Sequence, residues 1–153
     1  MAAIEPAGDS EPGAKPPRVA ATKPKKVLAL PKGLVDPGEK ALETAVREVF
    51  EETGVTAEVV SKLADIKYVY TRAWGDGQRV FKIVSFYLMR YLSGRINVIA
   101  PEMRIEVARA RWIRLEDAPK LLAYKGEREM AQRAVEYVRT HGELVRGQEN
   151  RSA

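Results

Sequence analysis

Cysteine is absent from this chain and histidine occurs once, at His141. The first absence excludes disulfides, thiolate nucleophiles and zinc–thiolate sites, and the second excludes histidine-rich metal sites and metalloprotease motifs. Long apolar runs are missing too. Residues 27–30 and 83–89 are the longest, far short of the ~20 residues that cross a bilayer as a helix, so no membrane partner is expected. The chain start lacks the basic stretch and apolar run of a secretory signal, which makes a cytoplasmic location the default expectation. What remains is ordinary for one globular domain: 153 residues, 45% hydrophobic and 31% charged. The formal net charge of +5 fits nucleic acid, anionic lipid or small phosphorylated molecules and does not choose among them. No zinc-finger spacing or other nucleic-acid-binding signature accompanies it.

Residues 1–25 are rich in Pro, Ala, Gly and Lys without periodicity, and Pro6, Pro12, Pro16, Pro17 and Pro24 interrupt any regular element. They are expected to form a mostly disordered or loosely docked tail. Strands are predicted over 27–30, 56–60, 66–70 and 79–91, with another around Arg111-Trp112-Ile113; Gly75-Asp76-Gly77 and Ser93-Gly94 read as turns. Between the first two strands, helix signals run from Glu39 and stop at Gly54. There Ala41, Leu42, Ala45, Val46, Val49 and Phe50 recur at helical spacing and predict a buried face. Glu116-Asp117-Ala118-Pro119 opens a short helix. Residues 127–140 read as an amphipathic helix carrying Met130, Ala134, Val135 and Val138 on one side, ending before Gly142. The expected division is a tail over 1–25, a domain over 26–141 and a polar tail over 142–153. Most strands are too closely spaced for repeated β-α-β units, so the class is mixed α/β.

The segment over 33–55, GLVDPGEKALETAVREVFEETGV, carries the chemistry. Glu48, Glu51 and Glu52 lie three and four residues apart on a predicted helix, on neighbouring parts of one face. Like charges so placed repel unless a cation is shared, and a hard divalent ion with oxygen ligands fills that role. Arg47 is spaced to brace Glu51, and Glu39, two turns earlier, can reach the arginine or hold the loop. The charge pattern alone also fits a solvated helix face. Gly33 and Gly38 shift the balance: they bracket a loop held by Pro37, and glycine lets backbone atoms approach a ligand closely.

This segment resembles the Nudix box: Gly, five residues, Glu, seven residues, Arg-Glu, an aliphatic, any residue, Glu-Glu, any residue, Gly, an aliphatic. Gly33, Glu39, Arg47-Glu48, Val49, Glu51-Glu52, Gly54 and Val55 occupy every fixed position with both gaps correct. The resemblance extends to about residue 137. It implies a Nudix-type α/β/α sandwich with a mixed sheet, and hydrolysis of a diphosphate linkage with Mg2+, Mn2+ being a substitute. Glu51 and Glu52 are then expected metal ligands, Glu48 a ligand or the base, the Gly33 carbonyl a further ligand, and Arg47 the group that orients the glutamates. Glu106 is the candidate for an additional glutamate outside the box, with Glu102 in reserve; a plain surface role competes for both. Relatives commonly place two strands before the Pro-Lys-Gly loop. Here residues 27–30 and a degenerate stretch over 18–21 stand in for them, so the N-terminal strand region is expected to be abbreviated. A homodimer would cover the sheet edge left exposed.

Substrate choice rests on residues outside the box. Lys32, Arg79, Lys82 and Arg104 are candidates for phosphate support, against the alternative of ordinary surface charge. Tyr68, Tyr70, Trp74 and Tyr124 are candidates for stacking on a base, against the alternative of packing. The expected order is dinucleoside polyphosphates or nucleoside triphosphates, then diphosphoinositol polyphosphates, then ADP-ribose, whose hydrolases often carry a proline past the box that is missing here. A non-catalytic module binding nucleotide or RNA is the alternative class. The intact glutamates stand against it, and the basic tail keeps RNA as a weaker partner.

Overall fold

The computed structural model of the chain describes residues 1–6, 27–71 and 77–146. Among these, strands pair in two antiparallel ladders. β1 (Ala2–Pro6) runs against β4 (Val107–Trp112), with Ala2 opposite Trp112 and Ile4 opposite Ala110. β2 (Val55–Thr71) runs against β3 (Arg79–Gly94) from Val55 opposite Gly94 to Thr71 opposite Arg79. The two strands expected over 56–60 and 66–70 are one continuous β2, with three register shifts along the pair that let it twist.

The first residues correct the expected tail. Residues 2–6 are a strand, whose other edge meets residue 29: Ile4 and Ala29 exchange two backbone hydrogen bonds of 2.9 Å. Ala3 packs with Leu28, Ile113, Ala118, Leu122 and Ala131, while Ile4 packs with Ala29, Ile99, Val107 and Ala110. A strand buried on both faces shows a continuous apolar run instead of alternation, and three residues are too few to read as one. The predicted strand over 27–30 reduces to this single bridge, and the stretch over 18–21 lies outside the described residues.

α1 (Ala41–Thr53) begins where the Lys40 amide donates to Glu43 at 3.0 Å, and ends at Gly54, whose φ of 84° is left-handed. A Cβ there would strike the carbonyl oxygens of Arg95 and Val98 at 2.5 Å, so only glycine fits the stop. The helix packs mainly against β2, but not on the expected face. Thr44, Glu48, Glu52 and Thr53 are buried, whereas Leu42 and Phe50 remain 45% and 54% exposed. Each inward polar group meets a partner: the Thr53 hydroxyl accepts the Val55 amide at 3.1 Å, and the partners of Thr44, Glu48 and Glu52, described below, set the helix rotation that apolar periodicity alone could not specify.

A 3-10 turn (Pro101–Ile105) leads into β4, another (Leu115–Asp117) into α2 (Ala118–Leu121), and α3 (Lys125–Arg146) is the last element among the described residues. Met130, Ala131 and Ala134 are the buried side of α3. The helix does not end before Gly142: it kinks at His141 (φ −121°, ψ 26°) and continues to Arg146, so the first residues of the polar tail expected from 142 are helical, and residues 147–153 lie outside the described residues. Among the described residues no helix is long and apolar enough to cross a membrane.

Candidate active site

The loop over 30–39 lies across the inner face of α1 and the start of α3. Its first anchor is the Lys32 amide, which donates to Glu52 Oε2 at 2.8 Å. Its second is Gly33, where a Cβ would overlap the carboxyl carbon and Oε1 of Glu48. The missing side chain at 33 is therefore the space that the Glu48 carboxylate occupies. At the far end Gly38 turns with φ of 80°, and the Asp36 amide donates to Glu39 Oε1 at 3.2 Å.

Arg47 joins the loop to the helix. Its Nε and Nη2 donate to Glu39 at 2.8 and 3.0 Å, Nη1 donates to Glu48 at 2.9 Å and Glu51 at 3.0 Å, and Nη2 also donates to the Leu34 carbonyl at 3.0 Å. A planar fork with five donors suits this branching, and a lysine does not. Hydrogen bonds from Arg47 and then Thr44 hold the Glu39 carboxyl down at about 2, and pairing with Glu39 pushes the Arg47 guanidinium further up. Arg47→Lys is expected to lower kcat/KM by roughly ten- to a hundredfold, because glutamates displaced by about 1 Å lose their alignment. Steady-state kinetics on any substrate the protein turns over checks this; unchanged kcat/KM would show that the fork orients nothing.

The two buried glutamates have a different electrostatic environment. Burial raises Glu48, with Arg47 opposing and Glu51 adding to the rise. Burial, then repulsion from Glu48, lifts Glu52 to about 8. Glu106, exposed at the end of the first 3-10 turn, adds to both shifts through its charge; Glu102 is exposed at the opposite end of that turn. Hard oxygen donors on two neighbouring buried carboxylates, next to a residue without a side chain, suit a small divalent cation. Among the described residues no group of three or more His, Cys, Asp or Glu side chains is gathered as a ready-made metal site, and Glu51 is held by Arg47.

The outer candidates divide. Lys32 stands at the loop entrance with its ammonium 5.2 Å from the centre of the Tyr124 ring and 3.3 Å from Glu127 Oε2. Tyr68 reaches the start of α3, where its hydroxyl would lie 3.5 Å from a Cβ at Gly126, and Lys82 is its partner across the β2–β3 pair. Arg104 ties the Asn97 and Ala108 carbonyls together at 2.9 Å each, a bracing role. Arg79 is exposed at the start of β3. Trp74 and the side chain of Tyr70 lie outside the described residues. Glu127 was not among the sequence candidates: a glutamate in the first turn of a helix reads as a complement to the helix dipole, and no spacing in the chain separates it from that.

A family model described as NUDIX domain matches residues 15–134. A Mycobacterium tuberculosis protein named "Putative mutator protein MutT4" is 41% identical over 110 residues, covering 72% of this chain and 42% of that protein. The mouse protein named bis(5'-nucleosyl)-tetraphosphatase [asymmetrical] is 32% identical over 99 residues, covering 62% of this chain and 60% of that one. The chain thus spans less than two thirds of the length of these relatives. A solved Caenorhabditis elegans Ap4A hydrolase complex superposes with a TM-score of 0.58 at 20% identity, over 91% of this chain and 85% of that one. That likeness shows the fold: the α/β sandwich with a mixed sheet flanked by helices.

Proposed function

The chain belongs to the NUDIX domain family, and on that premise we propose that it hydrolyses a diphosphate linkage in a nucleotide-type substrate with the help of Mg2+ or Mn2+. The observation that carries this reading is the pair of buried carboxylates, Glu48 against Gly33 and Glu52 on the Lys32 amide. They are the primary metal ligands in this proposal, with Glu51 and the Gly33 carbonyl completing the set. The cation, when bound, neutralises phosphate oxygens and acidifies water.

The protein's own residues supply the rest. Arg47 and Glu39 fix the glutamates and the loop relative to one another, so the reacting groups meet in a preset orientation. A glutamate whose carboxyl is raised by burial is suited to take a proton near neutrality. Glu48 has that environment without metal, so it serves as the base where Glu51, Glu52 and the Gly33 carbonyl hold the cation and as a ligand otherwise; Glu106 acts on it from outside the helix. The Lys32 ammonium, held over the Tyr124 ring, supports a phosphate.

Dinucleoside polyphosphates or nucleoside triphosphates are the preferred substrates. Identity to the mouse tetraphosphatase supports the first of these. The test is product analysis with Mg2+ on diadenosine polyphosphates, nucleoside triphosphates, diphosphoinositol polyphosphates, ADP-ribose and capped RNA. The expected result is metal-dependent turnover, fastest on one of the first two. Folded protein that turns over none of them with metal present would sink the hydrolase reading, and salt-sensitive RNA binding without Mg2+ would favour a binding module.

A further inference from the structure

Glu127 lies at the start of α3, outside the glutamate motif, and its side chain is fully enclosed. Its Oε1 accepts the Leu30 amide at 2.5 Å, and its Oε2 pairs with Lys32 Nζ at 3.3 Å. The backbone of the same Lys32 is gripped from the other side by Glu52 at 2.8 Å. Two buried carboxylates, one on α1 and one on α3, thus hold the chain on either side of residue 31. An enclosed carboxylate is costly unless it is paired and hydrogen-bonded, and an apolar residue could fill the same volume. The Lys32 side chain, by contrast, keeps 35% of its exposure. The anchor is inside and the charge it anchors is at the surface, above the Tyr124 ring. An ammonium carries three donors, and the contact with Glu127 takes one.

We propose that Glu127 is a positioning residue: it holds the Lys32 ammonium beside Tyr124, aimed at the substrate's phosphate chain, and keeps it from folding back onto Glu48 and Glu52. Lys32 is near enough for its charge to act on Glu52, and a flexible four-carbon stem released from Glu127 can turn towards that carboxylate. An ion pair there would remove the negative charge that a cation needs. The substrate-facing half of this proposal rests on the diphosphate reading above; the placement of the lysine does not.

The test variant is Glu127→Gln, whose amide oxygen can still accept the Leu30 amide while the ion pair is lost. Two readouts separate the halves. In protein labelled with 13C at lysine, the ε-methylene of Lys32, assigned through Lys32→Arg, should carry a ring-current shift that Tyr124→Leu abolishes. That shift should also vanish in Glu127→Gln, in a protein that still unfolds cooperatively. In steady-state kinetics at saturating Mg2+, where the cation outcompetes a folded-back Lys32, Glu127→Gln should raise KM about tenfold, the loss of one charge-assisted contact, with little change in kcat. Lys32→Ala should do the same, and the double variant should add nothing further. An unmoved Lys32 shift overturns the placement, whatever the activity. A lost shift with unchanged KM, or multiplicative effects in the double variant, overturns the substrate role. If wild type hydrolyses nothing, the diphosphate reading fails while the Lys32 shift still decides what Glu127 does.

Discussion

Replacing Glu52 with glutamine lowers kcat by roughly 10^2- to 10^4-fold, the range of a lost acid–base or ligand group, while the metal-free protein becomes harder to unfold. The opposite signs come from one side chain. Glu52 is 4% exposed, and burial with the Glu48 charge lifts its carboxyl from 4.5 to about 8. At pH 7 the unfolded chain ionises Glu52 freely and the metal-free fold does not. The difference disfavours the fold by roughly 3 kcal/mol, at about 1.4 kcal/mol per unit. Glutamine has the same shape, keeps an oxygen for the Lys32 amide and has no charge to bury. The gain should appear as a rise of several degrees in Tm. Kinetics and thermal unfolding on one preparation check both signs. A variant that loses activity and stability together would show that Glu52 is structural, and one that keeps its kcat would remove it from the site.

The grouping of the glutamates around Arg47 is legible in the sequence because its geometry is local. Arg47, Glu48, Glu51 and Glu52 lie within two turns of one helix, and Gly33 and Glu39 reach them through a loop too short to go elsewhere. Helix α1 and its stop at Gly54 were readable for the same reason: a left-handed residue against two carbonyls demands glycine. The face of α1 was not. Periodicity ranked Leu42 and Phe50 as buried, but the rotation follows from the hydrogen bond between Glu52 and the Lys32 amide and from the fit of Glu48 against Gly33, which no count of apolar spacings contains.

Long-range pairings were the other blind spot. β1 is recognisable only beside Ala29 and β4, more than 20 and 100 residues away in sequence. Glu127 is separated from Lys32 by 95 positions. Neither has a sequence signature, because the partner that gives each its meaning is supplied by the fold. Tyr124 reads in the sequence as either stacking on a base or packing, and its ring packs against the cluster around Ile4 and lies beneath the Lys32 ammonium.

Without metal, the stability of the protein should fall as pH rises from about 5 to 8, and Mg2+ should reverse the fall. Glu52 has a folded pKa of about 8 against an unfolded value of 4.5, and Glu48 is shifted in the same direction. Between those values the native state binds more protons than the unfolded chain, so the slope of stability against pH is negative. The stabilisation is complete below about 4.5 and is lost as pH climbs through the folded pKa. One proton gives about 1.4 kcal/mol per pH unit, and roughly 3–5 kcal/mol across the window. Glu39, held at about 2, acts with the opposite sign, but only below about 4.5, outside this range. A divalent cation binds the ionised carboxylates, so its apparent affinity should rise with pH as protons are displaced, and saturating Mg2+ adds stability in proportion to the logarithm of its concentration. Chemical unfolding from pH 5 to 8.5, in chelator and in excess Mg2+, measures both curves. They should converge in acid and diverge towards pH 8. Parallel curves would mean that the cation binds elsewhere, and a flat chelator curve would mean that Glu48 and Glu52 are ionised without it.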